Sequence, residues 1–220
     1  IAIDMLDWGG TDAWSRANKS LLEDETNLIK EVISRVDEKI HLVGHSYGGT
    51  ISYHLAMTAP KLIKSLTLIE PMLGWLLDLE KDSKCYGELL SVAEYFWEQY
   101  SVGKVEVGIK RYFDYWNGNG AWASLEKELR KYVLDGAEKN FYEFEAIFDE
   151  GKGLLRPKNF RQPVLLIGGA VSQPPPLRIL EILEDQFPNV RRHLIDGGTH
   201  MSPITHSAQV NSLINNFLST

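Results

Sequence analysis

Short apolar runs alternate along this chain with longer stretches in which apolar positions recur every three or four residues. Residues 1–3, 40–43, 66–69, 164–167 and 190–195 have the length and composition of strands. Between the first two, Ser20 and Glu23 make a capping box, and Ile29, Val32, Ile33 and Val36 fall at helical spacing. A second helix is expected from Tyr47 to about Ala59, stopped by Pro60. A third runs from Leu177 to about Phe187 behind a proline-rich entry, and Val210, Leu213, Ile214 and Phe217 mark the last. Strand and helix alternating in this way is the pattern of a parallel sheet with crossover helices, an α/β fold.

From Met72 to about Arg161 the rhythm stops. That stretch is rich in charge and aromatic rings, Trp75, Trp97, Tyr112, Trp116 and Phe144 among them, and reads as several helices with no strand of the parallel-sheet type. The expected organisation is a core of residues 1–71 and 162–220, with residues 72–161 as a helical insertion, or cap, packed over one edge of the sheet. A turn is expected at residues 117–120. There is no internal repeat.

Composition narrows the function. A hydrophobic content of 44% and a net charge of -7 describe an ordinary, mildly acidic globular chain of 220 residues. Without a basic stripe to neutralise phosphates, nucleic acid is not an expected partner; the short Arg191, Arg192, His193 cluster suits an exposed strand face. Cys85 is the single cysteine, so no intrachain disulfide or CxxC site can form, which fits a reducing, cytoplasmic compartment. No apolar run approaches the roughly 18 residues needed to span a bilayer. The chain starts at Ile1, not Met, with residues that already read as the inside of a strand, and is expected to lack an N-terminal part.

The candidate chemistry sits in HLVGHSYGGT, residues 41–50. Gly44, Ser46 and Gly48 form G-x-S-x-G after an expected strand and before an expected helix, the setting of a nucleophile elbow. There a tight turn exposes the serine hydroxyl at the C-terminal edge of the sheet, and the Tyr47 amide points toward an oxyanion forming beside it. The plainer alternative is a glycine-rich turn that binds a phosphate or nothing. A serine is a poor nucleophile at neutral pH and needs a base. Of the six histidines, His41 and His45 flank the elbow, His54 lies in the next helix and His193 is mid-strand. His200, in DGGTHMSP, falls in a loop past the final strand, where a base is expected; His206 is the fallback.

Together HLVGHSYGGT, SLTLIEPML, PVLLIGGAVSQPPP and DGGTHMSPITH resemble the successive signatures of the α/β-hydrolase superfamily. The resemblance covers nearly all of residues 1–71 and 162–220 and implies a serine nucleophile at Ser46, a base at His200, and acyl or related hydrolysis under a helical lid without metal or organic cofactor. Two departures stand out. That family most often places an aspartate after the strand at residues 164–167, where this chain has Ser172, which cannot orient an imidazole by charge. Some members carry the acid at the end of the strand after the elbow helix, and here Glu70 stands there; its plainer role is to cap amides ahead of Pro71. Asp196, Asp4 and Asp7 are lesser candidates. The second oxyanion donor comes in the family from an earlier loop, so only the Tyr47 amide can be assigned.

The expectation is a serine hydrolase for a small, apolar or aromatic ester-like substrate. A halide-displacing hydrolase would need an aspartate where Ser46 stands. The rival of another class is a non-catalytic ligand-binding or scaffold protein on the same fold. The discriminator is whether Ser46, His200 and Glu70 form one hydrogen-bonded set.

Overall fold

The computed structural model describes residues 1–15, 17, 20–152 and 157–219. Among them are four strands: β1 (Ile40–His45), β2 (Ile63–Ile69), β3 (Val164–Gly169) and β4 (Val190–Ile195). They pair in parallel in the order β1-β2-β3-β4. Parallel pairing needs a crossover between strands. α2 (Ser46–Thr58) supplies the first and α9 (Pro174–Gln186) the last. α1 (Leu21–Ile33) precedes β1, and α10 (Ser202–Thr205) and α11 (Ser207–Leu218) follow β4.

Both sheet faces are covered at the centre, which is why β3 reads as a continuous apolar run and β2 is buried at every position but Lys64. Leu66, Leu68, Val164 and Leu166 pack into the large core with α1, α2 and α9. The alternate positions Ile69, Leu165 and Ile167 meet Val210 and Phe217 of α11 on the other face. The period of two along each strand thus assigns side chains to the two layers.

Between β2 and β3 lie α3 (Gly74–Leu79), α4 (Ser83–Ser101), α5 (Val105–Asn117), α6 (Ala121–Ser124), α7 (Lys127–Asp135) and α8 (Ala137–Glu145), the last continued by a wider turn over Ala146–Glu150. Most of the aromatic rings here pack on one another. Phe96 contacts Tyr100, Tyr112 and Phe144, while Trp97 contacts Phe141, Phe144 and Phe148. The expected turn lies where α5 ends, with Gly118 and Gly120 at φ 98° and 84°. No described helix is long and apolar enough to cross a membrane.

Two expectations are corrected. Residues 1–3 form no strand, and Ile1 is fully exposed. An apolar triplet becomes a strand only with a neighbour to take its backbone groups, and none of the described strands pairs with it. The chain instead enters a loop in which Asp4 accepts from the Gly10 amide and Asp7 from the Trp14 amide. The helix expected through Val36 ends at Ile33. At its start Ser20 accepts from the Glu23 amide as expected, but the carboxylate on the free amides of Leu21 and Leu22 is that of Glu150. A negative charge there also complements the helix dipole.

Candidate active site

β1 ends at His45 and α2 begins at Ser46 with no intervening loop. That junction forces Ser46 to φ 54°, in the left-handed region that a non-glycine residue occupies only at a cost. Gly44 makes the close approach possible: a Cβ there would lie 2.4 Å from both the Gly48 carbonyl oxygen and Ser52 Oγ. Gly48 is different, since a Cβ there meets nothing within 4 Å, and Gly49, not Gly48, is the glycine pressed against Pro71. The elbow is tied to the segment after β2 by the Met72 amide, which donates to the Ser46 carbonyl at 3.2 Å, and by Thr50 Oγ1, which donates to the Met72 carbonyl at 2.6 Å.

The three residues singled out in sequence meet here. His200 is buried in the loop after β4, with Nε2 3.0 Å from Ser46 Oγ and Nδ1 2.8 Å from Glu70 Oε2. Glu70 follows β2 directly, is fully buried and sits at φ 40°. Its other oxygen, Oε1, accepts from the Gly169 amide at 2.7 Å and from Ser172 Oγ at 2.5 Å. Ser172, at the position where the resembling family most often has an aspartate, instead donates to Glu70. Burial alone would raise the Glu70 pKa; the hydrogen bond and charge of His200, with the Gly169 amide and Ser172 hydroxyl, outweigh it and hold the carboxyl below its ordinary value. An ionised carboxylate only accepts, so Nδ1 of His200 donates to it. Nε2 is then left with its lone pair toward the Ser46 hydroxyl.

The other candidates lie elsewhere. His41 Nδ1 pairs with Ser65 Oγ at 2.6 Å, His54 Nδ1 with Thr26 Oγ1 at 2.9 Å, and His206 Nδ1 with Thr205 Oγ1 at 2.9 Å. His193 and Asp196 are exposed, and Asp4 and Asp7 build the N-terminal loop. His45 is the neighbour that matters: its Nε2–H donates to the His200 carbonyl at 2.8 Å, and the two rings lie 4.8 Å apart. Burial first, then the nearby His200, lowers the His45 pKa to about 4, so it is neutral at pH 7.

The ring of Trp116 in α5 lies 4.2 Å from that of His200, centroid to centroid. With Met72, Tyr112, Phe144 and Ile147 it walls a cavity of about 20 Å³ above Ser46 and Tyr47, room for little more than a water. Asn140 and Glu143 of α8 complete the wall. Sequence reasoning missed these two. They fall with Phe144 and Ile147 at i, i+3, i+4 and i+7, so two polar residues on an otherwise apolar helical stripe were the available signal. Among the described residues no cluster of three or more His, Cys, Asp or Glu side chains is placed to hold a metal.

A family model described as the alpha/beta hydrolase fold matches residues 36–91, which include β1, the elbow, α2, β2 and Glu70. Solved structures extend the likeness across the chain. MGS-M2, an alpha/beta hydrolase enzyme from a Medee basin deep-sea metagenome library, superposes with a TM-score of 0.73 at 17% identity, over 99% of this chain and 78% of its own. This is an α/β-hydrolase-fold protein. MenH from S. aureus matches that fold with a TM-score of 0.68 at 17% identity, over 96% of this chain and 79% of its own. A serine hydrolase involved in carbazole degradation, the CarC enzyme, matches at 0.68 and 17%, over 98% and 77%. No curated protein matches this α/β-hydrolase-fold chain in sequence.

Proposed function

We propose that the chain is a serine hydrolase that cleaves a small, apolar or aromatic ester-like substrate through an acyl-enzyme. Ser46 Oγ attacks the carbonyl while His200 Nε2 takes its proton, and Glu70 stabilises the imidazolium through Nδ1–H. The Tyr47 amide, in the first turn of α2, is one donor to the oxyanion. His200 returns the proton to the leaving oxygen; water, deprotonated by the same imidazole, then attacks the acyl-enzyme and releases the acid. This chemistry needs no metal or organic cofactor. Residues 72–161 act as a cap over a core of residues 1–71 and 162–220, and because the cavity of about 20 Å³ holds little more than a water, the cap helices must move apart for a substrate to bind.

The observation that carries this reading is the unbroken chain Ser46 Oγ, His200, Glu70 at 3.0 and 2.8 Å, with the far oxygen of Glu70 held by two donors. A merely structural carboxylate has no need of an imidazole aligned on a strained serine. The serine hydrolase involved in carbazole degradation, similar in fold, points the same way. The test is hydrolysis of short-chain 4-nitrophenyl esters by the wild type, Ser46→Ala and Glu70→Gln. Ser46→Ala is expected to be inactive, and Glu70→Gln to lose about 10³–10⁴ in kcat. A Glu70→Gln enzyme within a few-fold of wild type would overturn the assignment of the acid.

A further inference from the structure

The cavity above Ser46 has two kinds of wall. Met72, Tyr112, Trp116, Phe144 and Ile147 are its apolar part, and α8 turns Asn140 and Glu143 into it. Polar groups on an apolar wall cost desolvation free energy unless a partner arrives. Asn140 gives one N–H to the Gly136 carbonyl at 3.2 Å and keeps the rest of its amide.

Behind this pair, Lys139 and Glu25 form an ion pair between α8 and α1, at 2% and 0% exposure. The Lys139 ammonium is thereby neutralised and offers no charge to an anionic ligand. The buried Tyr47 hydroxyl lies against the same Glu25 carboxylate. Glu25 and Asp7 are the acidic neighbours of Glu143, and Lys139 is the basic one. Burial first, then Glu25 and Asp7 against the opposing Lys139, raise the Glu143 pKa to about 8. At neutral pH its carboxyl therefore keeps a proton and can donate as well as accept.

The leaving group must lie where His200 can protonate it, at the end of the cavity roofed by Trp116. The acyl chain is then directed along the Tyr47 side, where the Lys139 ammonium lies 5.9 Å from the Tyr47 ring and α8 presents its polar pair. We propose that Asn140 and Glu143 form a polar subsite that hydrogen-bonds an uncharged oxygen function, a carbonyl, amide or hydroxyl, on the acyl chain beyond the scissile carbonyl. This rests on Ser46 being the nucleophile. The substrate class is a neutral acyl ester, largely apolar, with one remote oxygen. A terminal carboxylate meets no free cation there among the described residues, since Lys139 is held by Glu25, and a plain hydrocarbon offers no partner to the rest of the Asn140 amide or to Glu143 beyond Trp8.

The test uses three 4-nitrophenyl esters of equal acyl length, ending in hydrocarbon, in an oxo group near the terminus, or in a carboxylate. Wild type is expected to favour the oxo ester over the hydrocarbon in kcat/KM by about 10–100-fold, mostly through KM, and to turn over the carboxylate ester least. Asn140→Leu with Glu143→Leu should bring the oxo-to-hydrocarbon ratio to about one. Glu143→Gln, which keeps a neutral donor and acceptor, should retain most of it. A wild-type ratio near one, a ratio unmoved by the double leucine variant, or preference for the carboxylate ester would overturn the subsite while leaving Ser46 as nucleophile. Failure to cleave any ester, with Ser46 inert to a fluorophosphonate, would overturn the hydrolase reading and the subsite with it.

Discussion

Glu70 has two neighbours that divide its work. Its Oε2 faces His200 while its Oε1 rests on the Gly169 amide and Ser172 Oγ. Ser172→Ala removes one of the two donors and is expected to lower kcat by about 10–100-fold with little change in KM, the cost of one hydrogen bond to a charged group. Ser172→Asp should be worse despite restoring the more usual acid, because two carboxylates would meet in one buried site. Steady-state kinetics of both variants checks the order. Ser46, His200 and Glu70 were legible in sequence because each closes or follows a strand at the same sheet edge, where spacing and glycine content speak. Asn140 and Glu143 were not, because a polar residue on a helix acquires meaning only once the helix face and the cavity are known. Glu143 carries its own pH prediction. It is faced by Lys139 and Asn140 on α8, Glu25 on α1, Tyr47 on α2, and Asp7 and Trp8 in the N-terminal loop. With a folded pKa of about 8 against an ordinary 4.5, its contribution to stability is present below pH 4.5 and lost as pH rises through 8. Glu143→Gln should therefore gain on wild type between pH 5 and pH 9, by on the order of a few kcal/mol in urea denaturation.

At the scale of elements, the strand-to-helix junction decides the site, and its glycines are not equivalent. Gly44→Ala would drive a Cβ into the Gly48 carbonyl and Ser52, each 2.4 Å away. A cost of about 2–4 kcal/mol is expected in chemical denaturation. Gly48→Ala meets open space inside α2 and should be neutral or stabilising by about 0.5–1 kcal/mol. Equal destabilisation by the two would contradict this account of the elbow. The sequence pattern identified all four described strands, most plainly β3, where burial along its whole length leaves an uninterrupted apolar run. It overcalled residues 1–3 for the complementary reason: apolarity is local, whereas a strand is a property of a pair. Likewise the capping box located the start of α1 but could not reveal Glu150, which comes from 130 residues further on.

Over the whole molecule, the helices between β2 and β3 are joined to the rest of the chain around the Ser46, His200 and Glu70 set. Trp116 lies over His200, Glu150 sits on the first turn of α1, and the buried Lys139–Glu25 pair ties α8 to α1. Removing one partner strands a buried charge. Lys139→Met or Glu25→Leu alone is expected to cost about 3–5 kcal/mol, and the two together far less, since the apolar replacements satisfy each other. Denaturation midpoints of the two single variants and the double variant give that comparison. The central claim remains the activated serine. Intact-mass labelling of the chain with a fluorophosphonate tests it most directly: wild type should gain one adduct at pH 7, Ser46→Ala none, and Glu70→Gln should react far more slowly. No adduct on the folded wild type, or an adduct that persists in Ser46→Ala, would contradict it.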